Sequence, residues 1–433
     1  MLNVIQWQEL GLAGQSAALE RPAVAADESI RERVAAIIRQ VRSDGDAALR
    51  ALTHRYDGAE LDSLRVDARE LAAAEAALDA EAVAAIDLAI DNVRRFHEAQ
   101  VPEAIAVTTM PGVRCERRHH AIEAVGLYVP AGTAPLPSAA IMLAVPAAIA
   151  GCPTRILCTP PRPDGSADPA VLVAATRAGV TDIFKVGGAQ AIAAMAYGTE
   201  SIPKTSKIFG PGNAWVTSAK SQVSADAHGA AIDMPAGPSE VLVLADDSAS
   251  AEFVASDLLS QAEHGTDSQV ILVTTSATLA NAVAAEVERQ LASLGRADIA
   301  REAIGHSRAI IVNDLDEAVA VSNRYAPEHL IVQTADPRAL LTNIINAGSV
   351  FLGPWTPESV GDYCSGTNHV LPTYGFARNY SGLGVDQFLR SMTVQELSRE
   401  GLVGLAPAVV TLAGLEGLDA HANAVTLRLE SEA

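Results

Sequence analysis

Apolar positions change period partway along the chain. Over residues 28–42, Ile30, Val34, Ile37, Ile38 and Val41 fall on one stripe of a 3.6-residue helix. Asp44-Gly45-Asp46 then reads as a turn. The longest helical pattern, about residues 80–99, sets Val83, Ile86, Ile90 and Val93 on one face and ends at Val101-Pro102. Residues 1–27 carry little pattern and read as an N-terminal arm. The first hundred residues are thus expected to be mostly helical.

After Pro111 the period shortens. Short apolar runs fall at 113–117, 124–129, 155–159, 182–186, 240–245, 270–274, 309–312, 330–333 and 349–352, most of them separated by helical patterns. Strands alternating with helices predict parallel sheets covered on both faces. There are more runs than one compact sheet usually holds, so two sheet domains are expected. The stretch 160–168, with Pro-Pro-Arg-Pro-Asp-Gly, reads as a surface excursion. Beyond Leu352 the chain turns loop-like, and residues 361–369 (GDYCSGTNH) combine glycine with polar groups, as site-building loops do. From about residue 383 a separate helical tail is expected.

Composition narrows the function. The 433 residues are 49% hydrophobic and only 4% aromatic, and the formal net charge is -21. Nucleic acid and anionic membranes call for clustered Lys and Arg, so neither is an expected partner. The first ten residues show no basic region followed by an apolar one, and the apolar run 139–150 contains Pro146 and is too short to span a bilayer. A cytoplasmic location is expected. Cys115, Cys152, Cys158 and Cys364 form no C-x-x-C pair, which argues against a disulfide framework or a thiolate zinc site. Cys364, in the polar loop, is the one cysteine placed to be reactive.

Three glycine loops, at 126–132, 186–190 and 210–215, could present backbone N–H groups to a phosphate or nucleotide. None is a dinucleotide fingerprint. The third starts G-x-G, but Trp215 stands where the last glycine belongs. No G-x-x-x-x-G-K-[ST] loop is present.

Among ten histidines, His264, His329, His369 and His421 each have a carboxylate or amide neighbour in a turn-like context. Gln261 and His264 are three apart at a helix end closed by Gly265, so they share a face. Glu328 and His329 follow Pro327. In a strand they would point to opposite faces, but in the turn both reach one pocket. An imidazole suits a general base, and a carboxylate beside it suits activation of water. Gln261, His264, Asp362 and His421 would together offer zinc two imidazoles and two oxygens.

Several long runs carry a resemblance. They are GPGNAWVTSAK at 210–220, AGPSEVLV at 236–243, LSQAEHGTDSQVILV at 259–273, YAPEHL at 325–330 and NAGSVFLGPWTPESVGDYCSGTNHVLPTY at 346–374. MTVQELSREG at 392–401 and EGLDAHANAV at 416–425 complete the set. Together they resemble the histidinol dehydrogenases over essentially the whole chain. The resemblance implies oxidation of L-histidinol to L-histidine through the aldehyde, with reduction of two NAD, at the end of histidine biosynthesis. It implies one zinc per subunit, held by Gln261, His264, Asp362 and His421. Glu328 and His329 match the proton acceptors. Ser239, His369 and Glu416 match substrate contacts, which the zinc ligands and His329 share, and Tyr128, Gln190 and Asn213 match NAD contacts.

The implied fold is α/β, with two incomplete Rossmann-like parallel-sheet domains, a helical N-terminal region and a small helical C-terminal tail. The expected division is an arm at 1–27, a first domain from 28–128 plus 239–382, a second from 129–238, and a tail at 383–433 that crosses to the partner of a homodimer with shared sites. Rival readings are a zinc and NAD dehydrogenase of a related amino or sulfo alcohol, and a non-catalytic metal-binding protein. The paired Glu328 and His329 speak against the second, since binding alone needs no base.

Overall fold

A computed structural model describes residues 2–22, 28–131, 134–180, 182–234 and 237–431. Two parallel sheets carry the fold. The six-stranded sheet runs, edge to edge, Asn3–Gln6, Arg308–Ile311, Gln269–Thr274, Glu240–Ala245, His329–Gln333 and Ser349–Leu352. The five-stranded sheet runs Asp182–Lys185, Thr154–Thr159, Ala124–Tyr128, Lys207–Phe209 and Ala231–Ile232. Both are doubly wound. The chain builds outward from one central strand, then returns to that strand's other side. The switch lies between Glu240–Ala245 and His329–Gln333 in one sheet, and between Ala124–Tyr128 and Lys207–Phe209 in the other.

The central strands, such as Glu240–Ala245 and Gln269–Thr274, are Val, Ile and Leu runs because both sheet faces are covered there. Alternation along each strand feeds separate cores. Val241 and Val243 join one cluster, while Leu242 and Leu244 join the opposite one. In the five-stranded sheet Val125, Leu127 and Phe209 face one way, and Ile156, Cys158 and Ile208 the other.

Three expectations need correction. The helices of 28–128 do not cover the sheet formed by 239–382. Glu28–Asp57 packs on the helices Gly188–Tyr197 and Ala214–Ala225, and Ala80–Glu98 packs on Pro137–Ile149, so both cover the five-stranded sheet. Their apolar stripes are met by the sheet whose first strand, Ala124–Tyr128, comes after the two antiparallel strands Ile105–Met110 and Val113–Ala121. Gly45 (φ 54, ψ -130) kinks Glu28–Asp57 where the turn was expected.

The arm is not featureless. Asn3–Gln6 forms an edge strand, and its residues 23–27 lie outside the described ones, as does Gly132 of the first glycine loop. The tail is not all helix. Leu389–Leu397 pairs antiparallel with Val113–Ala121, and Ile105–Met110 completes a three-stranded antiparallel sheet. The helices Arg399–Glu416 and Asp419–Glu430 follow. Among the described residues, no helix is long and apolar enough to cross a membrane.

Candidate active site

The switch crevice of the five-stranded sheet gathers the three residues expected to meet the cofactor. Tyr128 ends its strand, and its hydroxyl accepts from the Gly188 N–H at 3.0 Å. Gln190 is buried in the first turn of Gly188–Tyr197. Asn213 caps Ala214–Ala225, its oxygen accepting from the N–H groups of Trp215 and Val216 at 3.1 and 3.2 Å. All three follow carboxyl ends of strands, where ligands of open α/β sheets bind. Gly210 has φ 126, and a Cβ there would lie 2.1 Å from the Tyr128 carbonyl oxygen, so the loop passes too close for any other residue. A buried Lys220–Asp233 ion pair pins this loop. Lys220 Nζ donates to the Gly210 carbonyl at 2.9 Å, and the Gly210 N–H donates to Asp233 at 2.8 Å.

The second cluster lies at the opposite, amino ends of the six-stranded sheet. Ala326 is left-handed (φ 54), so the chain turns sharply before Glu328 and the strand starting at His329. Both side chains then reach the start of Glu240–Ala245. The Glu240 N–H donates to Glu328 Oε2 at 2.9 Å, and His329 Nδ1 lies 3.1 Å from the Glu240 carbonyl oxygen. A carbonyl only accepts, so Nδ1 carries a hydrogen there and Nε2 is the nitrogen left to exchange a proton. His329 Nε2 is buried with no hydrogen-bond partner, 3.6 Å from Asp362 Oδ1. His329, Glu358 and Asp362 offer ligand atoms within 4.8 Å of one another.

This crowd of acids sets the protonation. Burial pushes Glu328 up to about 8, against the pull of His329 and the Glu240 N–H. Burial alone would lower His329, but the carboxylates of Glu358, Glu328 and Asp362 together raise it well above its ordinary value. Burial raises Glu358 as well. Asp362 resists the same desolvation and is lowered, because His329, His369 and His264 face it. His369 is lowered by burial, and its Nε2 lies 3.2 Å from Ser138 Oγ at the start of Pro137–Ile149.

The structure brings together Gln261, Glu328, His329 and Asp362, with His369 and His264 facing Asp362. Gln261 ends its helix buried, and His264, just beyond, is exposed. Ser239 immediately precedes the strand Glu240–Ala245. Glu416 and His421 do not join this group within the chain. Both are exposed on tail helices that meet at Gly417 (φ 70), and Leu418 takes the capping position of the second.

Sequence reasoning passed over Glu240, Glu358 and Arg21. Arg21 of the arm binds the buried Glu240 carboxylate, donates to the Tyr325 carbonyl at 2.8 Å and stacks 4.0 Å from the Tyr325 ring. Two signals were available: a glutamate opening an otherwise apolar strand run, and Glu358 one helical turn before Asp362.

Comparison with known proteins agrees with this architecture. A family model described as histidinol dehydrogenase matches residues 19–429. The chain is 58% identical over 428 residues to a histidinol dehydrogenase of Xanthomonas oryzae pv. oryzae, covering 99% of each chain. It is 56% identical over 429 residues to one of Vibrio parahaemolyticus, again covering 99% of each. A crystal structure of histidinol dehydrogenase from Elizabethkingia anophelis superposes with a TM-score of 0.96 at 44% identity, covering 99% of this chain and 98% of that one. The chain belongs to the histidinol dehydrogenase family.

Proposed function

We propose that this member of the family, an NAD-dependent oxidoreductase, oxidises L-histidinol to L-histidine through L-histidinaldehyde, reducing two NAD and requiring zinc. The observation that carries the reading is the convergence of Glu328 and His329 on one buried pocket beside Asp362. In the first oxidation the substrate hydroxyl gives its proton to His329 Nε2 while hydride leaves its carbon for NAD. Water then adds to the aldehyde: ionised Glu328 takes the water proton as the new C–O bond forms, and the carbonyl oxygen takes the proton that His329 gained in the first oxidation, which gives the gem-diol and frees Nε2 again. The gem-diol gives a second hydride to a second NAD and its hydroxyl proton to His329, leaving the carboxylic acid. No cysteine is needed. Tyr128, Gln190 and Asn213 hold the dinucleotide at the five-stranded switch point, and Ser239, His369 and Glu416 contact the substrate.

The residues present suit a zinc ion. A carboxylate, an amide oxygen and an imidazole are borderline-hard donors, and His329 stands in a field of carboxylates that a cation would offset. Gln261, His264 and Asp362 of one chain, with His421 of the partner subunit, would hold it. When bound, zinc fixes the substrate amine and imidazole and so supplies orientation. The tail, 383–433, crosses to the partner of a homodimer, so each site is shared. A cytoplasmic setting suits a biosynthetic role.

The test is stoichiometric. Purified protein should form two NADH per histidinol consumed and none after chelation, with recovery on adding zinc. One NADH per histidinol would mean that oxidation stops at the aldehyde. Turnover of other amino alcohols in preference to histidinol would overturn the substrate.

A further inference from the structure

One side chain of the arm reaches both ends of the segment that carries Glu328. The helix Leu315–Tyr325 stops at left-handed Ala326, and the last carbonyls of a helix need partners from outside it. Pro327 and Glu328 find theirs at the neighbouring strand. The Gly348 N–H donates to the Pro327 carbonyl and the Ser349 N–H to the Glu328 carbonyl, both at 2.9 Å. The carbonyls of Tyr325 and Ala326 instead accept from Arg21 Nη2, at 2.8 and 3.4 Å, and the guanidinium lies 4.0 Å from the Tyr325 ring. A cation at this helix end also meets the negative end of the helix dipole.

The same guanidinium grips the residue that receives the Glu328 carboxylate. Arg21 Nε pairs with Glu240 Oε1, and Nη2 donates to Oε2 at 2.9 Å. Glu240 in turn donates its N–H to Glu328 Oε2 at 2.9 Å. The arm is itself anchored, because the Tyr374 hydroxyl donates to the Pro22 carbonyl and the Tyr374 N–H donates to Glu240 Oε1 at 2.8 Å. Glu328 is thus held at its backbone and at its carboxylate by groups that meet on one planar fork. His329 depends on that fork less, since it opens the strand and pairs with Ser349 and Val241.

We propose that Arg21 is a positioning residue for Glu328: by bridging the turn at Tyr325 and Ala326 to Glu240, it holds the carboxylate where it takes the water proton. This rests on the role given to Glu328 in the proposed function. A guanidinium suits the task because its rigid fork serves a carboxylate and a carbonyl at once. A lysine keeps the charge as a point and loses the fork.

Single-turnover experiments with zinc-loaded enzyme in excess over histidinol read the first and second NADH as successive phases. They compare the wild type, Arg21→Lys, Glu328→Gln and the double variant. Arg21→Lys should slow the second phase by roughly 10–100-fold, as misplacing a reacting group does. The first phase and the KM values for histidinol and NAD should stay near the wild type. The double variant should pass its second phase no more slowly than Glu328→Gln, since Arg21 then has no base to place. A wild-type second phase in Arg21→Lys, equal slowing of both phases, or losses that multiply in the double variant would overturn the proposal while leaving Glu328 its role. An unimpaired second phase in Glu328→Gln would instead overturn that role, and this proposal with it. Should Arg21→Lys not fold, Arg21→Gln, which keeps N–H donors without the charge, is read by the same criteria.

Discussion

The acid–imidazole cluster and the C-terminal tail are built in opposite ways. Gln261, Glu328 and His329 are buried where helix ends and strand starts of one parallel sheet converge, and backbone groups of Glu240 fix two of them. Glu416 and His421 sit on helices that bury little. The first helix buries only Gly401, Ala406 and Ala413, the second buries nothing, and Leu415 is 80% exposed. Leu412 and Leu427 face outward too. A leucine moved from water into a packed interior contributes about 1.5–3 kcal/mol, which this tail leaves unused within its own chain. The contrast teaches that one set of proposed site residues is positioned by its own fold. The other is carried on a surface suited to being covered by a second copy.

The cluster should break most severely at its centre. His329→Gln is expected to slow both oxidations by roughly 10²–10⁴-fold with NAD affinity unchanged, since a positioned base contributes about that much. Glu328→Gln should chiefly impair the step that needs water. Supplying histidinol and the aldehyde separately distinguishes them. A Glu328→Gln enzyme that oxidises the aldehyde normally but not the alcohol would reverse the two roles.

A smaller effect sharpens the other side. On a tail that faces water, Leu415→Lys should change stability by less than about 0.5 kcal/mol. If a partner covers the tail, the substitution should weaken dimers by about 2–3 kcal/mol. Sedimentation at falling concentration, with activity followed in parallel, reads this directly. Indifference of both would remove the tail from the interface.

The smallest effect belongs to the buried acids. Asp257 is 5% exposed, accepts from Gln333 at 2.8 Å and is pushed up to about 7 by burial. The folded chain thus keeps a proton that the unfolded chain, with an Asp pKa near 3.9, gives up. Stability is lost as pH rises from about 4 to about 7, and the loss is complete above that. Asp257→Asn carries no such charge. It should raise stability by about 1–2 kcal/mol at pH 8, once the amide's own burial is counted, and by nothing at pH 4. Thermal unfolding at the two pH values checks it. A gain confined to acid would contradict the assignment.

Legibility in the sequence followed the same divide. The strands Glu240–Ala245 and Gln269–Thr274 lie where the apolar runs put them, to within a residue, because two-sided burial writes itself as continuous Val, Ile and Leu. Leu389–Leu397 did not announce itself. Its RSMTVQE core is polar and mostly exposed, and it is a strand only because Val113–Ala121 lies beside it. Asn3–Gln6 is likewise a four-residue edge strand held by Arg308–Ile311. The helices of 28–98 were visible as helices, but a stripe does not say which sheet it covers. In the site, Gln261, His264, Glu328, His329 and Asp362 were readable as residue types in turn contexts. Glu358 and Glu240 were not, since their importance lies in what they touch across the fold.

The shared site is tested most directly by mixing two inactive enzymes. Gln261→Ala and His421→Ala chains are each expected to be inactive alone. They are combined under conditions that exchange subunits, and heterodimers are verified by mass. If the tail of one chain completes the site of the other, each heterodimer holds one doubly damaged site and one intact site, and NADH formation from histidinol reappears. If Gln261 and His421 of the same chain serve one site, every site keeps a lesion. Proven heterodimers without activity would contradict the account.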